Sequence, residues 1–185
     1  METTAAFFQR ELSAQSENQN KNKSERLMSK NRVTKKPFGL EVSPTNSPVS
    51  PERFRGFHTG TDFDLTAKEN PLAFEVLAMC NGVILSAGRV SGYGGAVTER
   101  CTISNAEVSV VYGHLAVSAM RVKTGQNIIT GQALGRLGKG NTTETDYERS
   151  HLHLGIHLGP KSELRGYVQT KDELRMWMDA QNVIS

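Results

Sequence analysis

The stretch HLHLGIHL at residues 151–158 holds three of the five histidines in this 185-residue chain. Polar and apolar residues alternate along most of it, and a period of two is typical of a β-strand. Side chains two apart on a strand point to the same face and lie about 6.5 Å apart. His151 and His153 can therefore face one ion or one substrate atom, while the apolar residues between them fill a buried face. Two surface histidines on an edge strand are the simpler alternative for an isolated H-x-H.

Two further stretches supply more groups of the same kind. Residues 57–64, FHTGTDFD, place His58 and Asp62 at H-x-x-x-D spacing, and residues 110–115, VVYGHL, end a β-branched run with His114. Taken alone, the first is a turn in which Asp62 accepts bonds from local amides, and the second is a histidine at a strand end. Together they indicate one cleft, because a catalytic zinc ion needs three N or O ligands from the protein.

These three motifs resemble the lysostaphin-type (LytM-like) zinc metallopeptidases, which cut peptidoglycan cross-links. Residues 57–62 are similar to the family's H-x-x-x-D motif, residues 112–115 to its Y-x-H-L segment, and residues 151–154 to its H-x-H motif. Gly92-Tyr93-Gly94 also looks like the family's GYG turn, and the order and spacing agree. The resemblance covers about residues 38–158.

The resemblance implies a role for each clustered residue. His58, Asp62 and His153 would bind Zn²⁺, while His114 and His151 would be catalytic and share the general-base, oxyanion-stabilising and proton-delivery roles. The expected activity is endopeptidase hydrolysis of peptidoglycan stem or bridge peptides. The resemblance also implies an extracytoplasmic location, in the cell wall or periplasm. Two alternatives stay open: a non-catalytic peptidoglycan-binding activator of other wall hydrolases, and a zinc peptidase that acts on non-wall or phage-lysis substrates.

The expected fold is mainly β, an antiparallel lysostaphin-type domain. Short apolar runs bounded by Gly, Asn or Ser predict strands, and eleven glycines between positions 82 and 140 suit tight turns. The predicted strands are 75–79, 83–86, 96–103, 108–112, 128–129, 133–137 and 152–158. Thr170 and Glu173 form a capping box that predicts a helix over 169–185, with Leu174, Trp177 and Met178 on one face.

The first 36 residues differ from the rest in composition. They contain no Gly or Pro, only ten apolar residues and a net charge of +4, against −1 for residues 37–185. Such a stretch buries too little apolar surface to offset its ordering entropy, so we predict a flexible, basic tail over 1–36, a peptidase domain over 37–168 and the helix beyond. The near-neutral domain argues against nucleic acid as a partner. The oligomeric state is not predicted.

Export and membrane signals are not apparent in the sequence. The apolar run 73–80 is far shorter than the roughly 20 residues that span a bilayer, and residues 1–13 lack the features of a secretory signal. Cys80 and Cys101 are too few for a disulfide scaffold, and the sequence does not decide whether they pair.

Several finer expectations concern the surroundings of the site. Asp64 either orients a ligand histidine or is a solvated carboxylate, and His157 is predicted to be an exposed residue at the sheet end. Tyr93, Tyr112 and the loop 138–150 should line the groove. Within that loop, the charged residues either contact the substrate or are solvated: Glu144, Asp146, Glu148 and Arg149. Some family members carry a tyrosine shortly before the first metal histidine, but residues 51–57 offer no hydroxyl there.

Overall fold

Strands dominate the structure, a computed structural model that describes Arg10 and residues 27–29, 31–32 and 34–184. The twelve strands among these residues are β1 (Glu41–Val42), β2 (Gly56–His58), β3 (Gly60–Asp64), β4 (Glu75–Leu77), β5 (Gly82–Val90), β6 (Gly94–Ile103), β7 (Ala106–Gly113), β8 (Asn127–Ile128), β9 (Ala133–Arg136), β10 (His151–Leu158), β11 (Tyr167–Val168) and β12 (Trp177–Met178). One α-helix, α1 (Lys171–Leu174), and four 3-10 turns complete the described elements. Each of the seven predicted strands overlaps an observed one.

All strand pairs are antiparallel, as the sequence predicts. The largest sheet has the order β12-β10-β7-β6-β5-β8, with β3 also paired to β10. A three-stranded sheet, β1-β2-β11, and a two-stranded sheet, β4-β9, complete the fold. Strand β10 has partners along both edges. Strand β7 pairs with one edge, and β3 and β12 each pair with a part of the other edge.

The alternation in β10 separates the core from the site. Leu152, Leu154 and Ile156 are fully buried in the main hydrophobic cluster, with Phe63 of β3 and Tyr112 of β7. His151 and His153 alternate with them along the strand. The buried apolar face predicted from the sequence is therefore confirmed, and it fixes which face of β10 carries the histidines.

Register brings the separate motifs together. Asp62 of β3 lies directly opposite His153 of β10, and His153 is also opposite Gly113 at the end of β7. His114 follows Gly113 immediately. His58 ends β2, and Thr59 separates it from β3, so the H-x-x-x-D motif connects the three-stranded sheet to the largest sheet.

The helix near the C-terminus is shorter than predicted. The capping box of Thr170 and Glu173 is present, but α1 ends at Leu174. Trp177 and Met178, predicted on a helical face, instead form β12 and pair with His157 and Ile156. The prediction of a helix over 169–185 is wrong beyond the first turn, because pairing with the free edge of β10 replaces the helical continuation.

The predicted tail, residues 1–36, lies mostly outside the described residues. Of those described, Leu27 is fully buried in the main core and Lys36 is only 1% exposed. Packed residues therefore extend upstream of Pro37, and the boundary at residue 37 remains a prediction. Within the described ranges, no helix has the length and apolar character to cross a membrane.

Candidate metal centre

Three buried side chains direct ligand atoms toward one point. His58 Nε2 lies 3.0 Å from His153 Nδ1 and 3.2 Å from Asp62 Oδ1, and His153 Nδ1 lies 3.2 Å from the same carboxylate oxygen. Ligands bonded at about 2.0–2.1 Å to a tetrahedral zinc ion are separated by roughly 3.3 Å. The three atoms thus have nearly the spacing that a shared zinc ion would impose.

The protonation pattern also suits a cation. His58 Nδ1 lies 3.2 Å from the Pro37 carbonyl oxygen. When this nitrogen donates its proton there, a lone pair remains on Nε2, which faces the Asp62 carboxylate. Three atoms face one another here: His58 Nε2, Asp62 Oδ1 and His153 Nδ1. Of these, only His153 Nδ1 can still carry a proton. The donor set of two imidazoles and a carboxylate is one that zinc accepts.

The electrostatics favour a charged carboxylate beside a neutral imidazole. Burial acts to raise the pKa of Asp62, but the adjacent His151 and His58 and its hydrogen bonds hold that pKa well below its usual value. Burial lowers the pKa of His153 to about 4, against the opposing effect of Asp62. These are the protonation states that metal binding requires.

Two more histidines flank the three ligand atoms. His114 Nδ1 lies 3.2 Å from the Thr145 carbonyl oxygen and His151 Nδ1 lies 2.9 Å from that of Arg149. Donation from each Nδ1 leaves each Nε2 free to accept a proton. The two rings lie 4.2 Å apart between centroids, and His151 Nε2 is 3.3 Å from Asp62 Oδ2. Burial, and then His151, hold the pKa of His114 well below 6.5, so His114 is neutral at pH 7.

Asp64 serves an arginine rather than a histidine. Arg149 Nε lies 2.5 Å from Asp64 Oδ1, and Arg149 Nη2 lies 2.8 Å from Asp62 Oδ2. Asp64 is buried, so it is not the solvated carboxylate considered above. It fixes the guanidinium, which in turn holds the outer oxygen of Asp62.

The walls of the cleft differ in part from the prediction. Tyr93 lines it, with its ring 5.2 Å from that of His153. Tyr112 does not, because its side chain lies in the core, where its hydroxyl donates to Glu99. Loop 138–150 contributes Glu148 and Arg149.

The other two charged residues named for this loop accept hydrogen bonds from main-chain amides. Glu144 accepts from the Lys139 amide, and Asp146 accepts from the Gly92 amide. His157 is not among the cleft residues and is partly buried against Trp177, with ring centroids 4.9 Å apart. The prediction that His157 is exposed is therefore wrong, because its side chain is partly buried.

Sequence reasoning missed two residues of the cleft wall, Tyr167 and Lys36. Tyr167 of β11 lines it with its ring 5.2 Å from that of His58, and Lys36 lies beside it. The Lys36 ammonium donates to the Tyr167 hydroxyl at 2.9 Å. Tyr93 and Tyr167 thus bring hydroxyl-bearing side chains to the cleft wall, whereas residues 51–57 contain no hydroxyl group. No local pattern marks either Lys36 or Tyr167 as a site residue.

The chain belongs to Peptidase family M23, whose family model matches residues 56–164, more than half of the chain. This match confirms the lysostaphin-type resemblance. No curated protein matches the chain.

Solved structures with a similar fold cover most of the chain. It is similar to cbpa from L. salivarius REN, with 23% identity, a TM-score of 0.51 and coverage of 82% of this chain and 85% of that one. It is similar to LytU, with 20% identity, a TM-score of 0.50 and coverage of 80% and 82%. It is also similar to the antimicrobial peptidase lysostaphin from Staphylococcus simulans, with 22% identity, a TM-score of 0.50 and coverage of 82% and 49%. Identities this low show a shared fold alone.

Proposed function

We propose that this chain is a zinc-dependent endopeptidase that hydrolyses peptide cross-links of bacterial peptidoglycan. The observation that carries this proposal is the convergence of His58 Nε2, Asp62 Oδ1 and His153 Nδ1, each within 3.2 Å of the other two. Membership of Peptidase family M23 supports the reaction class. Both histidines proposed as catalytic lie in the same cleft.

The proposed zinc ligands are His58, Asp62 and His153. When bound, zinc supplies Lewis-acid polarisation of a carbonyl and lowers the pKa of water to about 7. The protein contributes a buried site in which the Asp62 carboxylate is held in its charged form by its neighbours. It also fixes the orientation of the His58 ring through the Pro37 carbonyl.

His114 and His151 are the proposed proton carriers. Their Nδ1 atoms face main-chain carbonyls, so each Nε2 can take a proton from an attacking water and return one to the leaving amine. The Tyr167 oxygen accepts from Lys36, and its own proton is therefore free for a substrate carbonyl oxygen. The cleft thus offers proton acceptors and a hydrogen-bond donor for peptide hydrolysis.

A wall substrate fits the location that we propose. Cys80 and Cys101 form a disulfide, and disulfides persist mainly in oxidising compartments such as the periplasm and the cell exterior. This supports an extracytoplasmic location.

Digestion of purified sacculi, followed by mass analysis of the released muropeptides, tests the proposal. We expect the wild-type protein to release peptides cut at cross-links. The variant His153→Ala should lose zinc and activity together, and His114→Ala should keep zinc but lose turnover by about 10²-fold or more. His157→Ala is the matched control, because this histidine lies on the same strand but does not line the cleft.

Three results would contradict the proposal. Binding to sacculi without release of peptides would indicate the non-catalytic activator. Cleavage of protein substrates with no effect on sacculi would indicate a peptidase with other substrates. Full hydrolysis by His114→Ala would remove that histidine from the proposed mechanism.

A further inference from the structure

We propose that Lys36 is a positioning residue of the metal site, because its buried ammonium anchors the segment 35–37, whose main chain holds two of the three ligands. This inference rests on the proposed zinc site. It concerns residues upstream of the 56–164 region that matches the family model.

The Lys36 side chain is anchored at its charged end. It is 2% exposed, and its Nζ lies 2.6 Å from Glu52 Oε2, whose own side chain is 1% exposed. The same Nζ donates to the Tyr167 hydroxyl at 2.9 Å. Glu52 is fixed in turn, because its second oxygen accepts from the Phe54 amide and Oε2 accepts from the Ser47 hydroxyl. The Lys36 ammonium therefore joins segment 35–37 to Glu52 and to Tyr167.

The main chain around Lys36 contacts the ligand residues directly. The Lys36 carbonyl oxygen accepts from the Asp62 amide at 3.1 Å, and the Pro37 carbonyl oxygen faces His58 Nδ1 at 3.2 Å. The Lys35 amide donates to Asp64 Oδ2 at 2.8 Å. A shift of this segment would break two contacts at once. His58 Nδ1 would lose the carbonyl to which it donates, and the Asp62 amide would lose its acceptor.

Loss of the lysine would act on the metal site through this segment. Removal of one partner from a buried ion pair leaves an uncompensated charge, and Glu52 would have to move toward water to relieve it. Contacts behind metal ligands typically change metal affinity by about 10–100-fold when they are lost. We therefore expect the main effect of Lys36 to appear in zinc binding.

The test measures zinc affinity of the full chain by competition with a chromophoric chelator. Lys36→Met should bind zinc about 10–100-fold more weakly than wild type. Lys68→Met, which removes the same charge from an exposed side chain, should bind within about 2-fold. Thermal unfolding in excess chelator establishes that each metal-free variant is folded.

A second variant keeps the test decisive if Lys36→Met does not fold. Lys36→Met/Glu52→Met removes both charges, so no unpaired carboxylate remains. It also removes the directional contacts that anchor segment 35–37, so zinc binding should again weaken. Zinc affinity equal to that of Lys68→Met in either folded variant would overturn the inference. A wild-type protein that binds no zinc would instead contradict the proposed function, so the two failures are distinguishable.

Discussion

Glycine at position 60 makes room for a metal ligand. A Cβ atom placed there would lie 2.7 Å from the Nε2 and Cε1 atoms of the His153 ring and 2.7 Å from the Leu154 carbonyl oxygen. Contacts this short cannot be accommodated, because real Cβ atoms are not found so close to other heavy atoms. Gly60, between His58 and Asp62, thus leaves space for the His153 ring because it has no side chain.

Gly60→Ala should therefore displace the His153 ring or the β3–β10 pair. We expect zinc affinity to fall by at least about 10-fold, the scale of losses seen when metal ligands are poorly held. Chelator competition measures this effect, and unfolding in excess chelator separates it from a general loss of stability. An alanine variant that binds zinc as tightly as wild type would show that the ring has another place to lie.

The residues of the site divide sharply in how well the sequence predicts them. His58, Asp62, His114, His151 and His153 fall in short motifs, and strand register explains why such motifs meet. Lys36 and Tyr167 could not be predicted, because their contact joins positions 131 residues apart and neither stands in a recognisable pattern. The sequence marks Asp64 as a candidate, but its arginine partner depends on a loop conformation that spacing does not specify.

At the level of elements, β12 shows how tertiary pairing overrides a local helix signal. The capping box starts α1 as predicted, yet the chain turns after Arg175 and adds Trp177 and Met178 to the edge of β10. Trp177 is only 5% exposed, and a Cβ atom added at Gly155 would lie 3.2 Å from its ring carbon Cζ3. Strand β12 thereby pairs with the C-terminal part of β10, the strand that carries the histidines.

Trp177→Ala should lower the free energy of unfolding by about 3–5 kcal/mol, because it empties a large buried volume. Its neighbour Met176 is 47% exposed, so Met176→Ala should change stability by less than about 0.5 kcal/mol. Urea unfolding in excess chelator compares the two. Equal stabilities would mean that β12 adds little to the fold.

The disulfide is a second element-scale constraint. Cys80 precedes β5 and Cys101 lies on β6, separated by 21 residues. A cross-link of this loop length stabilises a fold by about 3 kcal/mol. Cys80→Ser/Cys101→Ser should lose about this much, while zinc binding stays near wild type, because neither residue lines the cleft. A large loss of zinc affinity in the folded double variant would contradict this separation of the disulfide from the site.

For the whole molecule, stability should depend on pH through a buried carboxyl group outside the metal site. Burial raises the pKa of Glu99 from 4.5 to about 7, against the hydrogen bond from Tyr112. Between these values the folded state binds the proton more tightly than the unfolded state, so the free energy of unfolding falls as pH rises from about 4.5 to 7. The full difference corresponds to at most about 3 kcal/mol.

Glu99→Gln should remove this part of the pH dependence, because the amide does not titrate. Urea unfolding of metal-free wild type and variant at pH 5 and pH 8 measures it. The wild type should lose more stability than the variant between these values. Parallel pH profiles would show that Glu99 titrates as an ordinary carboxylate.

At the scale of the whole molecule, composition predicts a boundary at residue 37, and two described residues upstream of it are buried. Glycine and proline begin at residue 37, yet Leu27 and Lys36 pack against the domain. Average composition does not reveal such buried residues within a polar, basic stretch. The antiparallel fold was predictable because alternation and glycine-bounded runs are local signals, whereas the burial of Leu27 and Lys36 depends on partners elsewhere in the chain.

Anomalous diffraction at the zinc absorption edge, from crystals of the zinc-loaded protein, tests the central claim most directly. We expect one strong peak about 2.0–2.1 Å from His58 Nε2, Asp62 Oδ1 and His153 Nδ1, with His114 and His151 beside it but not bonded to it. A loaded protein with no peak at these three atoms, or with its zinc held by other residues, would contradict the account.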